Sequence, residues 1–132
     1  PWRFFFVTDK PMLEKLSSAK ESGSSFLKDA ALGVVVAAKR GESDVWVEDC
    51  SIASIILQLA GCSLDLGSCW IQIRNRRHSS SMSAEDYVKQ TLALPHDFLV
   101  ECIISLGYPD EDKRPVDFAD LDWDKAVTWG MH

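Results

Sequence analysis

Most of the patterns that announce a particular enzyme chemistry are missing from this 132-residue chain. There is no G-x-S-x-G signature, because Ser63 and Ser68 lack the flanking glycines, and so no strand-to-helix elbow that would expose a serine nucleophile. No H-E-x-x-H pair or cysteine–histidine cluster occurs, and His78, His96 and His132 stand far apart, so the spacing offers a metal ion no ligand set. Neither G-x-x-x-x-G-K-[ST] nor G-x-G-x-x-G is present, which removes the familiar phosphate-cradling loops. No apolar run approaches the roughly 18 residues needed to span a bilayer, and no N-terminal signal pattern is read. Positive charge is scarce: a net charge of −6 and a pI near 4.9 argue against nucleic acid as the main partner. The cysteines at 50, 62, 69 and 102 form no C-x-x-C pair. Three of them lie in strongly apolar segments, so all are read as free core thiols of a reducing, cytoplasmic setting.

What is present is globular. With 46% hydrophobic residues and five tryptophans, the chain can build a core, and its length suits one domain, 1–132. The rest is organised around 44–74. Residues 45–62 read as a helix of about five turns, with Val45, Trp46, Val47, Cys50, Ile52, Ala53, Ile55, Ile56, Leu57, Leu59, Ala60 and Cys62 covering most of its circumference. A helix apolar nearly all round is expected to be buried, in a core or between subunits. It is predicted to run out at Gly61, with a turn at Leu66-Gly67-Ser68 and then an inner strand, Cys69-Trp70-Ile71-Gln72-Ile73.

Around this centre the elements alternate. The aromatic run Arg3–Thr8 predicts a buried strand, and its abrupt start leads us to expect that sequence precedes Pro1. Thr8 or Asp9 can cap a helix over 12–20 with Pro11 in its first turn. A loop at 22–25 and a short turn of helix at 26–30 follow. The continuous apolar run Leu32–Ala38 predicts a strand covered on both faces. Ser83 with Asp86 three residues on predicts a helix start, closed by Pro95, and Phe98–Leu106 predicts a fourth strand. The tail carries Lys113-Arg114-Pro115, a short amphipathic piece at 121–127, and Trp123 and Trp129, read as packing on a partner or on their own domain.

One ordered set of pieces stands out: Pro1-Trp2-Arg3-Phe4, Val7-Thr8-Asp9, Val45–Ala53, Leu66-Gly67-Ser68-Cys69-Trp70-Ile71 and Leu106-Gly107-Tyr108-Pro109. In this order they resemble the FMN-dependent nitroreductase family along essentially the whole chain. The resemblance implies an α+β fold, a mixed and largely antiparallel sheet flanked by helices with a central buried dimer helix. It also implies a homodimer with FMN at its interface, and hydride passing from NADH or NADPH through the flavin to a quinone or nitroaromatic acceptor. By the same resemblance Trp70, Ile71, Gln72 and Ile73 run along the isoalloxazine ring, with a backbone N–H near Gln72 or Ile73 facing its reactive nitrogen. Pro1 and Trp2 follow the ring-contacting segment, and Lys113 and Arg114 match the positions that meet the FMN phosphate. No catalytic side chain is expected, since the flavin carries the chemistry. The family's Arg-rich opening segment and the helices after it have no counterpart here.

The same residues have plainer readings. Trp46 and Trp70 can be core aromatics, Gly67-Ser68 a simple turn, and Lys113-Arg114 a solvated ion-paired loop. Arg74, Arg76 and Arg77 can meet a nicotinamide cofactor's phosphate or lie in solvent. Two alternatives to the enzyme therefore stay open: a flavin-free dimerisation or binding module of the same fold, and an unrelated ligand-binding domain using a pocket near Gly67 to Ile73.

Overall fold

The computed structural model describes residues 1–128 and Gly130. Four antiparallel strands form one sheet in the order β1-β2-β4-β3: β1 Trp2–Val7, β2 Leu32–Lys39, β3 Gly67–Gln72 and β4 Phe98–Gly107. Four helices accompany it: α1 Lys10–Leu16, α2 Trp46–Ser63, α3 Ala84–Thr91 and α4 Trp123–Ala126. The expected α+β architecture is present.

β2 and β4 are the central strands, so their residues are shut off on both faces, as the unbroken apolar runs predict. One face carries α1, α3 and the 3-10 turn Ser25–Asp29 over Val35, Ala37, Ile71, Ile73, Val100 and Ile103. Asp9 caps α1 by accepting the Met12 N–H at 3.0 Å, and Ser83 caps α3 by accepting that of Asp86 at 3.0 Å. α3 ends at Thr91, before Pro95, with Ala93 left-handed at φ 51° and the Leu94 N–H closing on Lys89 O at 2.9 Å.

α2 lies on the opposite face and departs from expectation. It passes through Gly61 rather than stopping there, and it turns its small side to the sheet: Cys50, Ser54 and Gly61 are its buried residues. Ser54 Oγ donates to Cys50 O at 2.7 Å and lies 3.2 Å from Cys102 Sγ, so the buried hydroxyl is satisfied. A Cβ on Gly61 would stand 2.8 Å from Leu106 Cδ2, which explains why the helix can approach so closely. The bulky residues Ile52, Ile55, Ile56 and Leu59 point outward, with Ile56 58% exposed. The helix is therefore only partly buried within one chain: small residues make its closest approach to the sheet, Trp46 and Leu57 pack beside them, and the other bulky side chains face out.

The two outer strands also differ from the sequence reading. β1 is an edge strand; Trp2, Phe4 and Phe6 share the α2 face with their partners Ala38, Val36 and Val34, and although Trp2 meets α2, Phe6 is left 64% exposed. Phe5, on the other face, meets Phe98 edge-on at 5.5 Å. β3 is an edge strand rather than an inner one, and Gly67 and Ser68 pair with Gly107 and Leu106 inside it. The turn before it sits earlier, at Asp65, whose φ is 59°. The tail through α4 is exposed, with Phe118 and Trp123 rings 4.7 Å apart; Trp129 and His132 lie outside the described residues.

Of the four free cysteines, Cys50 and Cys102 are core residues, whereas Cys62 and Cys69 are exposed and so not core fillers. Burial pushes the Cys102 thiol up to about 12 and that of Cys50 up to about 11, which leaves almost no thiolate at neutral pH. We expect Cys50 and Cys102 to resist iodoacetamide at pH 8 in the native protein and to be modified in guanidinium. Peptide mapping that finds either one labelled in the folded state would contradict this packing.

Candidate functional site

The best-organised polar group lies along β3 and the bulge facing it. β4 slips register between Val36 and Ala37 of β2, leaving Glu101 as the extra residue. Its side chain is 4% exposed and accepts from Arg74 Nε at 2.9 Å. Gln72 Nε2 donates to Arg74 O at 3.1 Å and reaches Glu101 Oε1 at 3.5 Å, while Gln72 Oε1 accepts the Trp70 indole N–H at 2.9 Å. Trp70, Gln72, Arg74 and Glu101 thus form one connected network that fixes the orientation of the Trp70 ring on the α2 side of the sheet.

The backbone of the same strand separates Gln72 from Ile73. The Ile73 N–H is given to Glu101 O at 3.1 Å, and Arg74 shares that acceptor at 3.0 Å. Alternation along an antiparallel ladder turns the Gln72 N–H the other way, off the free edge of β3. Ile71 and Ile73 bury their side chains on the opposite face. An unpaired strand edge with alternating donors and acceptors suits the polar rim of a flat heterocycle, and a fixed indole beside it supplies an apolar wall.

The remaining predicted residues are elsewhere in the chain. Pro1 and Trp2 belong to the far edge of the sheet, three strand spacings or roughly 14 Å from β3. Trp2 lines a small hollow of about 110 Å³ against α2 with Asp49, Ile52, Ala53 and Ile56. Lys113 and Arg114 lie on the exposed tail, where Lys113 pairs with Glu111 at 2.9 Å and Arg114 with Asp120 at 3.3 Å. The Glu111 contact raises the Lys113 pKa, so that ammonium is held charged. Within one chain the structure brings together Trp70 and Gln72, leaves Trp2 on the other sheet edge, and links Lys113 and Arg114 to neither by a hydrogen bond or ion pair among the described residues.

A cleft of about 560 Å³ opens at the Gly67–Cys69 end of β3, beside Tyr108 and Pro109. Asp29, Asp110 and Glu111 line it with no lysine or arginine, which makes it unfit for a phosphate, and Gln72 is not part of its wall. Glu101 was missed by the sequence reading. A lone carboxylate inside the apolar run Phe98–Leu106 was the available signal, since such a group must find a partner.

The class is a four-stranded antiparallel α+β domain with an open outer strand carrying an organised polar network. The profile of the Nitroreductase family matches residues 2–108, and the chain belongs to that family. A protein of Archaeoglobus fulgidus, named as a candidate NADH dehydrogenase/NAD(P)H nitroreductase, is 36% identical over 92% of this chain. A Methanothermobacter thermautotrophicus protein of the same designation is 32% identical over 98%. The chain spans about two thirds of these relatives' length, 67% and 66%. Among solved structures, an FMN-dependent nitroreductase from Clostridium difficile R20291 superposes with a TM-score of 0.95 at 43% identity, over 99% of this chain and 76% of that one.

Removing the Arg74 guanidinium leaves a buried carboxylate without its ion partner. Breaking a fully buried pair costs ~3–5 kcal/mol, and Arg74 is about a third exposed. We therefore expect Arg74→Met to lower unfolding stability by about 2 kcal/mol. Urea denaturation showing no loss would mean that Glu101 is solvated or otherwise partnered.

Proposed function

We propose that this protein is an FMN-dependent NAD(P)H oxidoreductase that works as a cytoplasmic homodimer, passing hydride to a quinone or nitroaromatic acceptor. The observation that carries this is the 43% identity, across 99% of the chain, to an FMN-dependent nitroreductase of nearly superposable fold. The donor is NADH or NADPH, in keeping with the designations of the two archaeal relatives. The free cysteines fit a reducing compartment, and no helix among the described residues is long and apolar enough to cross a membrane.

The residues present fit the cofactor in chemical kind. A bound FMN supplies hydride acceptance and delivery, which asks of the protein placement and tuning rather than acid–base groups. Gln72 offers its outward N–H to the electron-rich edge of the ring, Trp70 walls it, and Ile71 and Ile73 anchor the strand from the core side. Lys113 and Arg114 hold the phosphate, exchanging exposed carboxylate partners that contribute little in water for a dianion. Pro1 and Trp2 reach the ring from a second copy, since the two sheet edges of one chain are too far apart to share it. The outward Ile52, Ile55, Ile56 and Leu59 are the surface that such a copy covers.

The flavin-free module has one observation in its favour, the existing pairing of Lys113 and Arg114 with carboxylates. A visible spectrum after FMN addition and desalting separates the readings: a retained band, bleached anaerobically by NADH or NADPH, supports the oxidoreductase, and a colourless protein supports the module. Because each of the two side chains gives the phosphate a charge-assisted hydrogen bond, Lys113→Ala with Arg114→Ala should weaken FMN binding by about 100-fold or more. Unaltered flavin affinity would remove both residues from the phosphate site. Ile56→Asp should leave the chain folded, because the side chain is exposed in a single copy, and should drive the protein to monomer in sedimentation. An unchanged dimer would place the interface elsewhere.

A further inference from the structure

The basic loop after β3 has a use that the flavin reading does not absorb. Arg74 is committed to Glu101, but Arg76 and Arg77 line a cleft of about 240 Å³ with Lys20, Glu21, Ser22 and Asn75. Among the described residues no ion pair engages Lys20, Arg76 or Arg77, and Glu21 is the sole carboxylate on the lining. Three cations facing one carboxylate leave two positive charges over, in a chain whose net charge is −6. Lys20 is half-buried and its ammonium has no hydrogen-bond partner among the described residues, so it is partly desolvated without compensation. Burial first and then the nearby Arg76 lower its pKa, as expected of a cation lacking its counter-ion.

The cleft is also built to hold its shape. Its two walls, the segment after α1 and the loop after β3, are tied together by the Glu21 N–H to Arg77 O at 3.3 Å. His78 Nδ1 lies 2.6 Å from Ser18 O, its ring stacks on Tyr87 at 3.9 Å, and Tyr87 Oη donates to Lys15 O at 2.9 Å. Arg77 is steadied by donating from Nε to Ser79 O at 3.1 Å and from Nη2 to Ser80 O at 2.6 Å, which leaves Nη1 available. Arg76 uses only Nη1, on Asn75 O at 3.1 Å, and keeps its other two nitrogens for a ligand.

We propose that Lys20, Arg76 and Arg77 form a binding site for a phosphoryl group, carried either by free phosphate or by a phosphate ester such as a nucleotide. Two surplus positive charges match a phosphate dianion, and the free guanidinium nitrogens supply directional donors that chloride would not exploit. The site is independent of the flavin reading, because neither Gln72 nor the Lys113-Arg114 pair lines it.

The test is calorimetric titration of the protein with inorganic phosphate at low ionic strength, with equal chloride as control. Saturable binding that weakens with added salt is expected, and Lys20→Met and Arg76→Met should each weaken it about tenfold. Absence of saturable binding, or parental affinity in a variant combining Lys20→Met with Arg76→Met, would overturn the site. Adenosine 2′-monophosphate against adenosine distinguishes the sources: a nucleotide response sensitive to Arg76→Met assigns an ester, and a response to inorganic phosphate alone assigns the free ion. Lys113→Ala with Arg114→Ala should leave phosphate affinity as it was; a drop there would move the binding to the tail and overturn the proposal, whatever becomes of FMN.

Discussion

The close seating of α2 on the sheet is the constraint from which the other features follow. A helix rich in Ile and Leu would ordinarily drive those residues inward; here Cys50, Ser54 and Gly61 face β2 and β4 instead. Gly61 leaves no room for a side chain against Leu106, and Ser54 stays satisfied by bonding back to its own helix and to Cys102. Small residues let the backbone approach closely; Trp46 and Leu57 still pack against the sheet, but Ile52, Ile55, Ile56 and Leu59 are left outside. An apolar helix face in water is unfavourable at roughly 25 cal/mol per Å², so the single chain carries an unfinished surface as a direct result of its packing.

That unfinished surface is continuous in kind with the sheet edge beside it. Trp2 lines the hollow on α2 with Ile52 and Ile56, and Phe4 and Phe6 extend the apolar strip along β1. The opposite edge, β3, offers polar backbone and a fixed indole instead. One edge is therefore suited to apolar contact and the other to recognition of a polar rim. In the proposed homodimer these are complementary roles, because a copy docked through α2 brings an edge of one chain toward a site on the other.

Much of this was legible in the sequence, and what was not has definite causes. The runs at 32–38 and 98–106 read correctly because a strand covered on both faces needs no alternation. The cap at Ser83 read correctly, and that of α1 was narrowed to Thr8 or Asp9, because caps act within four residues. β1 and β3 misled for the converse reason: hydrophobicity reports that a surface is to be covered, and not whether the same chain covers it. The direction of α2 was hidden because its apolar residues surround it, leaving no moment to point inward. In the site, Trp70 and Gln72 were singled out by the order of motifs. Their link to Glu101 depends on a bulge in β4, and register is a long-range property that no local pattern records.

The distribution of charge shows why placement matters more than total. Carboxylates crowd the tail from Asp110 to Asp124 and dominate the net charge, yet they sit on exposed chain where solvent screens them. Glu101 is a single buried carboxylate, and it organises Arg74, Gln72 and Trp70 because in the interior it must be paired. By taking Arg74 it also divides the basic loop after β3. The first arginine becomes part of the sheet's internal order, and the next two are left facing Lys20 across a cleft that the His78–Tyr87 contacts hold open. An acidic protein can thus present a local cationic pocket, because a bound anion responds to the few charges within a Debye length and in low dielectric, and only weakly to the sum.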